Sequence, residues 1–140
     1  MKIFLDTNVI LDLLEPERPG AESSAIIYQL AQGRQIEVFV STQSIIDSYY
    51  IGGNFGVPKA EIDTLANWMM DHFNVRAIDC FDMKKAVSSP DPDVEDNAQI
   101  VLAEDAGCHC FVTHDKGILA REEEDGMLLI SPEQLVARMQ

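Results

Sequence analysis

Basic residues are scarce in this sequence. It contains 10 lysine and arginine residues against 24 aspartate and glutamate residues, and its formal net charge is −14 over 140 residues. Proteins that bind a polyanion usually do so through lysine and arginine, which release counterions from the phosphates. The composition therefore argues against a protein that binds nucleic acid through its own charge. Any nucleic-acid role requires positive charge from another source.

Cysteines and long apolar runs are also few. The three cysteines, Cys80, Cys108 and Cys110, have no spacing typical of a disulfide framework, so we expect a reducing, cytoplasmic environment. The opening apolar stretch, residues 3–5, is interrupted by Asp6 and is too short for a secretory signal. No window approaches the roughly 20 apolar residues of a membrane span, so we expect no membrane partner.

Short apolar runs alternate with longer segments of helical periodicity. Strands are predicted at residues 2–5, 36–40, 75–78, 110–113 and 127–130, with helices between them that include residues 21–32 and 93–106. Strands that alternate with helices form parallel sheets through right-handed crossovers. The sequence therefore predicts an α/β fold, a three-layer α/β/α sandwich with a mostly parallel sheet of about five strands. We expect residues 1–140 to form a single domain.

Several aspartates fall at the carboxyl edge of this predicted sheet, where open parallel sheets bind their ligands. Asp6 ends the first strand, Asp115 follows the fourth, and Asp96 lies at the start of the helix that leads into the fourth. Asp93 lies one turn before Asp96, and Asp47 lies in the helix after the second strand. Each residue alone also suits a helix cap or the boundary of a helix face. Together they indicate a shared acidic pocket.

Carboxylates held together in a partly buried pocket repel one another unless a cation neutralises them. A ligand set made only of oxygen favours Mg²⁺ or Mn²⁺ over zinc. The sequence therefore predicts a divalent metal site, and the metal would provide the missing positive charge. Three nearby features are assigned outside the ligand set: Glu95 is expected to be solvated, Glu122–Asp125 to be a solvated loop, and His114 to be a possible contact for a substrate phosphate.

Three short segments of the sequence stand out: residues 3–14 (IFLDTNVILDLL), residues 93–99 (DVEDNAQ) and residues 111–115 (FVTHD). Together they resemble the PIN domain, the metal-dependent ribonuclease fold found in the toxins of VapBC-type toxin–antitoxin pairs. Each segment is short, and their order and spacing together carry the resemblance. It covers nearly the whole chain.

The resemblance implies roles for individual residues. Asp6, Asp96 and Asp115 would be metal-binding catalytic acids. Asn8 and Thr113 would be polar groups that support these acids.

Two further acids have less direct roles in the resemblance. Asp93 would be an accessory acid at the rim of the pocket. The family usually places a glutamate on the helix after the second strand, where this chain has Asp47. Because aspartate is one methylene shorter, Asp47 would act as a catalytic acid through water or in a variant site.

The implied activity is that of an endoribonuclease that uses Mg²⁺ or Mn²⁺ to hydrolyse RNA phosphodiester bonds, as the toxin of a toxin–antitoxin pair. Single-stranded or looped RNA is the expected substrate, because a narrow acidic cleft would exclude a rigid duplex. A basic antitoxin protein is the expected partner, since opposite charge speeds association. The family resemblance also implies a homodimer, built from apolar residues near Ile45, Tyr49, Tyr50 and Trp68.

Two alternatives remain open. The first is a PIN-like scaffold without catalytic activity. It remains open because Asp47 stands where the family usually has a glutamate. The second is an aspartate-based Mg²⁺ phosphotransfer domain, because receiver domains and phosphatases also place an aspartate after the first strand. The phosphatase pattern needs an acid where Asn8 stands. A receiver needs an acidic pair before its aspartate and a lysine after its last strand, and neither is evident.

Overall fold

The computed structural model describes residues 1–140, which form one six-stranded sheet covered by eight helices. The strands are β1 (Lys2–Leu5), β2 (Glu37–Ser41), β3 (Asn74–Arg76), β4 (Cys110–Val112), β5 (Glu123–Glu124) and β6 (Met127–Ile130). The helices are α1 (Thr7–Leu11), α2 (Ala21–Gln32), α3 (Thr42–Asn54), α4 (Lys59–His72), α5 (Cys80–Ser88), α6 (Val94–Asp105), α7 (Lys116–Leu119) and α8 (Pro132–Met139). None of these helices has the length and apolar character needed to cross a membrane.

The order of the strands in the sheet is β3-β2-β1-β4-β6-β5. All neighbouring strands are parallel except β5 and β6. Ile3 of β1 pairs with Val38 on one side and with Cys110 on the other, so β1 and β4 are central neighbours. The chain order reverses between β1 and β4. In parallel sheets this switch point is where ligands bind, beyond the carboxyl ends of the strands.

Helices cover both faces of the sheet, because successive strand residues point to opposite sides and are apolar on both. Ile3 and Leu5 belong to a core of 16 buried residues that includes side chains from α1, α2, α4 and α8. Phe4 belongs to a second core of 11 buried residues with side chains from α6 and α7, and its ring stacks on Phe111 with a centroid distance of 5.6 Å. The predicted three-layer α/β/α sandwich is confirmed.

The acidic run from Glu122 to Asp125 was predicted as a solvated loop: it is largely exposed, as predicted, but it is not a loop. The two residues of β5 within it pair antiparallel with β6, which gives a sixth strand. Asp125 and Gly126 link the two strands with φ angles of 47° and 86°. Two consecutive positive φ angles are typical of the type I′ hairpin turn, for which Asp-Gly is a favoured sequence. The Asp-Gly turn signal was therefore a better guide to the backbone structure of this segment than its run of acidic residues.

Candidate metal centre

Asp6 lies at the carboxyl end of β1 and caps the first turn of α1. The residue is 4% exposed. Its Oδ1 accepts a hydrogen bond from the Thr7 backbone N–H at 2.8 Å, and its Oδ2 accepts one from Thr113 Oγ1 at 2.8 Å. The amide Nδ2 of Asn8 donates to the same Oδ2 at 3.4 Å. Burial raises the pKa of Asp6 above its ordinary value, although these hydrogen bonds act in the opposite direction.

Asp93 and Asp96 lie at the N-terminus of α6. Asp93 is the N-cap, and its Oδ1 accepts a hydrogen bond from the Asp96 backbone N–H at 3.0 Å. Burial, followed by the negative charge of Asp6, raises the pKa of Asp96 to about 7. The charges of Asp93 and Asp115 act in the same direction. The four carboxylates therefore influence one another at the edge of the sheet.

Asp115 reaches this edge from the turn between β4 and α7. Its Oδ1 accepts a hydrogen bond from the Ile118 backbone N–H at 3.0 Å, and its own backbone N–H donates to Thr113 Oγ1 at 3.0 Å. The fully buried Thr113 hydroxyl also donates to Asp6. Thr113 thereby links the two turns that carry Asp6 and Asp115.

Glu95 is exposed, as the sequence predicted, but it also belongs to this group. Its carboxylate and those of Asp93 and Asp96 offer ligand atoms within 4.8 Å of one another. Burial, followed by the charges of Asp6 and Asp47, raises the pKa of Glu95 to about 7. The sequence therefore predicted the exposure of Glu95 but not its place beside Asp93, Asp96 and Asp47, because the first turn of α6 lies near α3.

Asp47 joins the group through Glu95. It lies half-buried on α3, where its Oδ1 accepts a hydrogen bond from Gln43 Nε2 at 2.8 Å. Its carboxyl group lies near that of Glu95, and its charge contributes to the raised pKa of Glu95. The structure therefore brings six acids to one edge, and we call them the carboxylate pocket: Asp6, Asp47, Asp93, Glu95, Asp96 and Asp115.

A buried polar network holds three of the acid-bearing elements together. Gln99 Nε2 of α6 donates to Ser44 Oγ of α3 at 2.7 Å, and the Ser44 hydroxyl lies 2.7 Å from that of Thr7 at the start of α1. All three side chains are buried. Gln99 is one turn after Asp96, and Thr7 follows Asp6. The network therefore fixes the relative positions of α1, α3 and α6 beneath the pocket.

No basic side chain neutralises the carboxylate pocket. The ion pairs of the protein involve Asp12, Asp63, Asp91, Asp105 and Glu124, and none involves a pocket acid. A second acidic group, Glu104, Glu124 and Asp125, differs because Arg121 pairs with Glu124. The pocket offers oxygen donors only, and hard divalent cations such as Mg²⁺ prefer oxygen ligands. Its residues therefore fit a divalent cation.

A second buried aspartate, Asp12, is 2% exposed and was not predicted as a site residue. It accepts hydrogen bonds from Arg18 Nε at 2.9 Å, Ser24 Oγ at 2.5 Å and His114 Nε2 at 2.6 Å. Burial acts to raise the pKa of Asp12, but the hydrogen bonds from His114, Ser24 and Arg18 outweigh it and leave the pKa below its ordinary value. His114, considered above as a phosphate contact, therefore binds Asp12 through Nε2.

Comparison with known proteins identifies the family. Residues 2–117 match the family model described as a PIN domain. The chain belongs to the PIN domain family. Among curated proteins it is similar to ribonuclease VapC1 of Aquifex aeolicus, with 25% identity over 131 residues that cover 88% of each chain.

Solved structures share the fold of this PIN domain protein. VapC20 of Mycobacterium tuberculosis, a toxin that cleaves the sarcin-ricin loop, has a TM-score of 0.69 and 13% identity over 88% of this chain and 97% of that chain. VapBC2 of Rickettsia felis, solved with a DNA fragment from its promoter, has a TM-score of 0.64 and 11% identity over 94% and 98%. PAE2754 of Pyrobaculum aerophilum has a TM-score of 0.65 and 19% identity over 99% and 89%. At these identities the likeness concerns the fold alone.

Proposed function

We propose that this protein is a divalent-metal-dependent endoribonuclease that hydrolyses RNA phosphodiester bonds, as the toxin of a toxin–antitoxin pair. One observation carries the proposal: in a PIN domain, acids from β1, α6 and the β4–α7 turn converge at the switch point of the sheet without a basic partner. The similarity to ribonuclease VapC1 supports RNA as the substrate.

Asp6, Asp96 and Asp115 are the proposed ligands of Mg²⁺ or Mn²⁺, with Asp93, Glu95 and Asp47 beside them. A bound divalent ion would polarise the phosphodiester, lower the pKa of a water molecule and stabilise the departing oxygen. Mg²⁺ is usually held by one or two carboxylates together with waters and substrate phosphates. The remaining acids of the pocket would then orient water or bound substrate.

The protein's own residues provide the geometry of this site. Thr113 and Asn8 donate to Oδ2 of Asp6 and so fix the direction of its carboxylate. Asp93 and Asp115 are exposed at the rim, where an RNA backbone would approach. The acidic rim repels phosphate, so substrate binding depends on the cation.

Substitution of single acids tests the proposal. Asp6→Asn and Asp96→Asn keep the side-chain shape but remove a ligand charge, so both should fold and lose Mg²⁺-dependent cleavage of single-stranded RNA by about 100-fold or more. Asp71→Asn, at an exposed aspartate on α4, is the matched control and should cleave at the wild-type rate. Undiminished cleavage by either pocket variant would contradict the proposed site.

The proposed partner is a basic antitoxin protein. The net charge of −14 and the unneutralised pocket both favour a partner segment that carries arginine or lysine. Such a side chain would compete with the metal for the pocket. Co-expression with the product of a short adjacent reading frame should give a stable complex that does not cleave RNA. A complex that keeps full nuclease activity would contradict this mode of inhibition.

The proposed homodimer rests on fewer residues than the sequence suggested. Tyr49 donates from its hydroxyl to Asp63 at 2.6 Å, and Trp68 packs against the rings of Tyr28 and Phe73. Tyr50 is 75% exposed on α3, and the neighbouring Ile46 is 61% exposed. These two side chains are the proposed contact. Light scattering at high concentration and moderate salt should show a dimer, and a monomer under those conditions would overturn it.

Asp47 also supports a second candidate, a PIN domain that acts only as a scaffold. The shorter side chain is already engaged by Gln43 and faces Glu95. A scaffold should show no stabilisation by Mg²⁺ or Mn²⁺ that depends on Asp6 and Asp96. We propose a cytoplasmic location for either candidate, since all three cysteines are free thiols.

A further inference from the structure

A second polar network lies beside the carboxylate pocket and is built on Asp12. The Asp12 side chain is 1% exposed, and it receives hydrogen bonds from Arg18, Ser24 and His114. These partners come from the α1–α2 connection, from α2 and from the β4–α7 turn. We call these four residues the Asp12 network.

The Asp12 network reaches the pocket through Asn8. The backbone N–H of His114 donates to Asn8 Oδ1 at 3.1 Å, and Arg18 Nη2 donates to the Asn8 carbonyl oxygen at 3.3 Å. With Oδ1 engaged in this way, Asn8 Nδ2 faces Asp6 Oδ2 at 3.4 Å and Thr113 Oγ1 at 3.3 Å. The network therefore determines which end of the Asn8 amide points at the pocket.

In the sequence, His114 also lies between two residues at the edge of the carboxylate pocket. Thr113, which precedes it, donates to Asp6, and Asp115, which follows it, is a proposed metal ligand. The contact between the His114 ring and Asp12 holds the β4–α7 turn against the end of α1. This contact couples the turn that carries Asp6 to the turn that carries Asp115.

The close packing of the Asp12 network requires glycine at position 20. A Cβ atom added to Gly20 would lie 2.2 Å from His114 Cε1 and 2.9 Å from Asp12 Oδ2. The φ angle of Gly20 is −90°, which any residue adopts. Glycine is therefore needed for the close approach to the imidazole ring and not for its backbone freedom.

We propose that Asp12 and His114 are positioning residues for the reaction at the carboxylate pocket, holding the β4–α7 turn and the Asn8 amide in the geometry that metal binding and catalysis need. This inference rests on the proposed nuclease function. A buried charged pair alone is weak support for a role in stability, because apolar residues of similar volume often stabilise as well. Geometry is what the pair provides: a displacement of about 1 Å at a reacting centre costs about 100-fold in rate.

Variants at both positions test the positioning role. Asp12→Asn keeps the shape of the side chain but cannot accept from Arg18, Ser24 and His114 together. His114→Ala removes the ring, whereas His114→Gln keeps an N–H donor that can reach toward Asp12. We expect Asp12→Asn and His114→Ala to weaken Mn²⁺ affinity and, at saturating Mn²⁺, to lower kcat about 10- to 100-fold with the KM for single-stranded RNA within about twofold of the wild-type value. His114→Gln should recover part of both losses.

The control is Asp63→Asn, since Asp63 also accepts hydrogen bonds from two side chains, Tyr49 and Lys59, but has no contact with the pocket. It should leave kcat and Mn²⁺ affinity unchanged. All measurements are made well below each variant's Tm, with Mn²⁺ affinity measured by calorimetry on the metal-free protein. If Asp12→Asn does not fold, the comparison of His114→Ala with His114→Gln decides alone.

The outcomes separate this inference from the proposed function. Suppose that the wild type cleaves RNA and binds Mn²⁺ through Asp6. If the Asp12 and His114 variants then have a lower Tm but unchanged kcat and Mn²⁺ affinity, the network is structural and the positioning role is wrong. If His114→Gln is no better than His114→Ala, the side-chain contact to Asp12 is not what positions the turn. If the wild type neither binds Mn²⁺ nor cleaves RNA, the proposed function itself fails and the inference with it.

Discussion

Two aspartates six residues apart show how different surroundings give the same residue type opposite properties. Asp6 and Asp12 are almost equally buried, at 4% and 2% exposed, and each accepts three hydrogen bonds. The pKa of Asp6 is raised and that of Asp12 is lowered. Asp12 has Arg18 and His114 as partners, whereas Asp6 has only neutral donors and other carboxylates around it. Burial alone therefore does not decide whether the pKa of a carboxylate is raised or lowered.

The comparison separates two kinds of buried acid. The Asp12 network is complete within the protein, because its negative charge is matched by the protein's own basic groups. The carboxylate pocket is incomplete, because burial and the charge of neighbouring acids raise the pKa values of Asp6, Glu95 and Asp96 and no basic residue relieves them. Uncompensated acids in a partly buried pocket are typical of functional sites.

Removal of the Asp12 carboxylate should have the largest effect on stability. Asp12→Ala leaves Arg18, His114 and the Ser24 hydroxyl without their partner, and loss of one member of a buried charged pair typically costs about 3 kcal/mol or more. Because Arg18 and His114 are each 26% exposed, we expect about 2 to 3 kcal/mol in the free energy of unfolding. Urea unfolding of the metal-free protein measures it. A loss similar to that of Asp71→Ala would contradict the importance of the network.

Gly20→Ala should disturb the same network by overpacking. The added methyl group would overlap the His114 ring, so we expect a loss of about 1 to 3 kcal/mol in the free energy of unfolding. The matched control is Gly53→Ala on α3, where a Cβ atom would meet nothing within 4 Å. That change should be neutral or stabilise by about 0.5 kcal/mol, because alanine is the better helix former. Equal effects at the two positions would argue against the close approach at Gly20.

Asp96→Asn should stabilise the metal-free protein at pH 8, the opposite of the effect at Asp12. The folded pKa of Asp96 is about 7 against an ordinary value of 3.8, so the folded state binds the proton more tightly than the unfolded state. The wild type should therefore lose stability as the pH rises from about 4 through 7. Screening by solvent reduces the gain from the substitution to about 1 kcal/mol. Thermal unfolding at pH 5 and pH 8 measures the difference.

Saturating Mn²⁺ provides the control for that prediction. If the cation neutralises the pocket, the wild type should become more stable at pH 8 than metal-free Asp96→Asn, and the variant should gain less from Mn²⁺. A variant that is destabilised at pH 8 without metal would contradict the picture of unrelieved repulsion.

Glu95→Gln should have the smallest effect. Glu95 is more exposed than Asp6, so removal of its charge should weaken Mn²⁺ affinity only about threefold, as expected for a screened interaction. Glu123→Gln, in the hairpin away from the pocket, is the control. Calorimetric titration of both variants measures the ratio of their dissociation constants. No difference between them would leave Glu95 outside the metal centre.

The sheet and its central acids could be predicted because they follow from repeating patterns. Residues 3–5 are apolar at every position, which is typical of a strand covered on both faces. Parallel strands all end at the same edge, so Asp6 and Asp115 were expected at one edge once both strands were predicted. Asp96 was expected there too, because a helix that leads into a parallel strand begins at that edge.

The remaining features depend on contacts without a sequence period. Asp12 meets Arg18 and His114, which lie 6 and 102 positions away, and no periodicity relates these three residues. Glu95 is exposed as predicted, but no sequence pattern showed that Asp47 of α3 lies beside it. Such partners are known only when packing fixes the relative positions of the elements.

Titration of the metal-free protein with Mn²⁺ by calorimetry asks whether the carboxylate pocket binds a divalent cation. We expect saturable binding that is lost in Asp6→Asn and in Asp96→Asn and is unchanged in Asp71→Asn. Saturable binding that survives both pocket substitutions, or the absence of saturable binding by the wild type, would contradict the assignment of the carboxylate pocket as a metal centre.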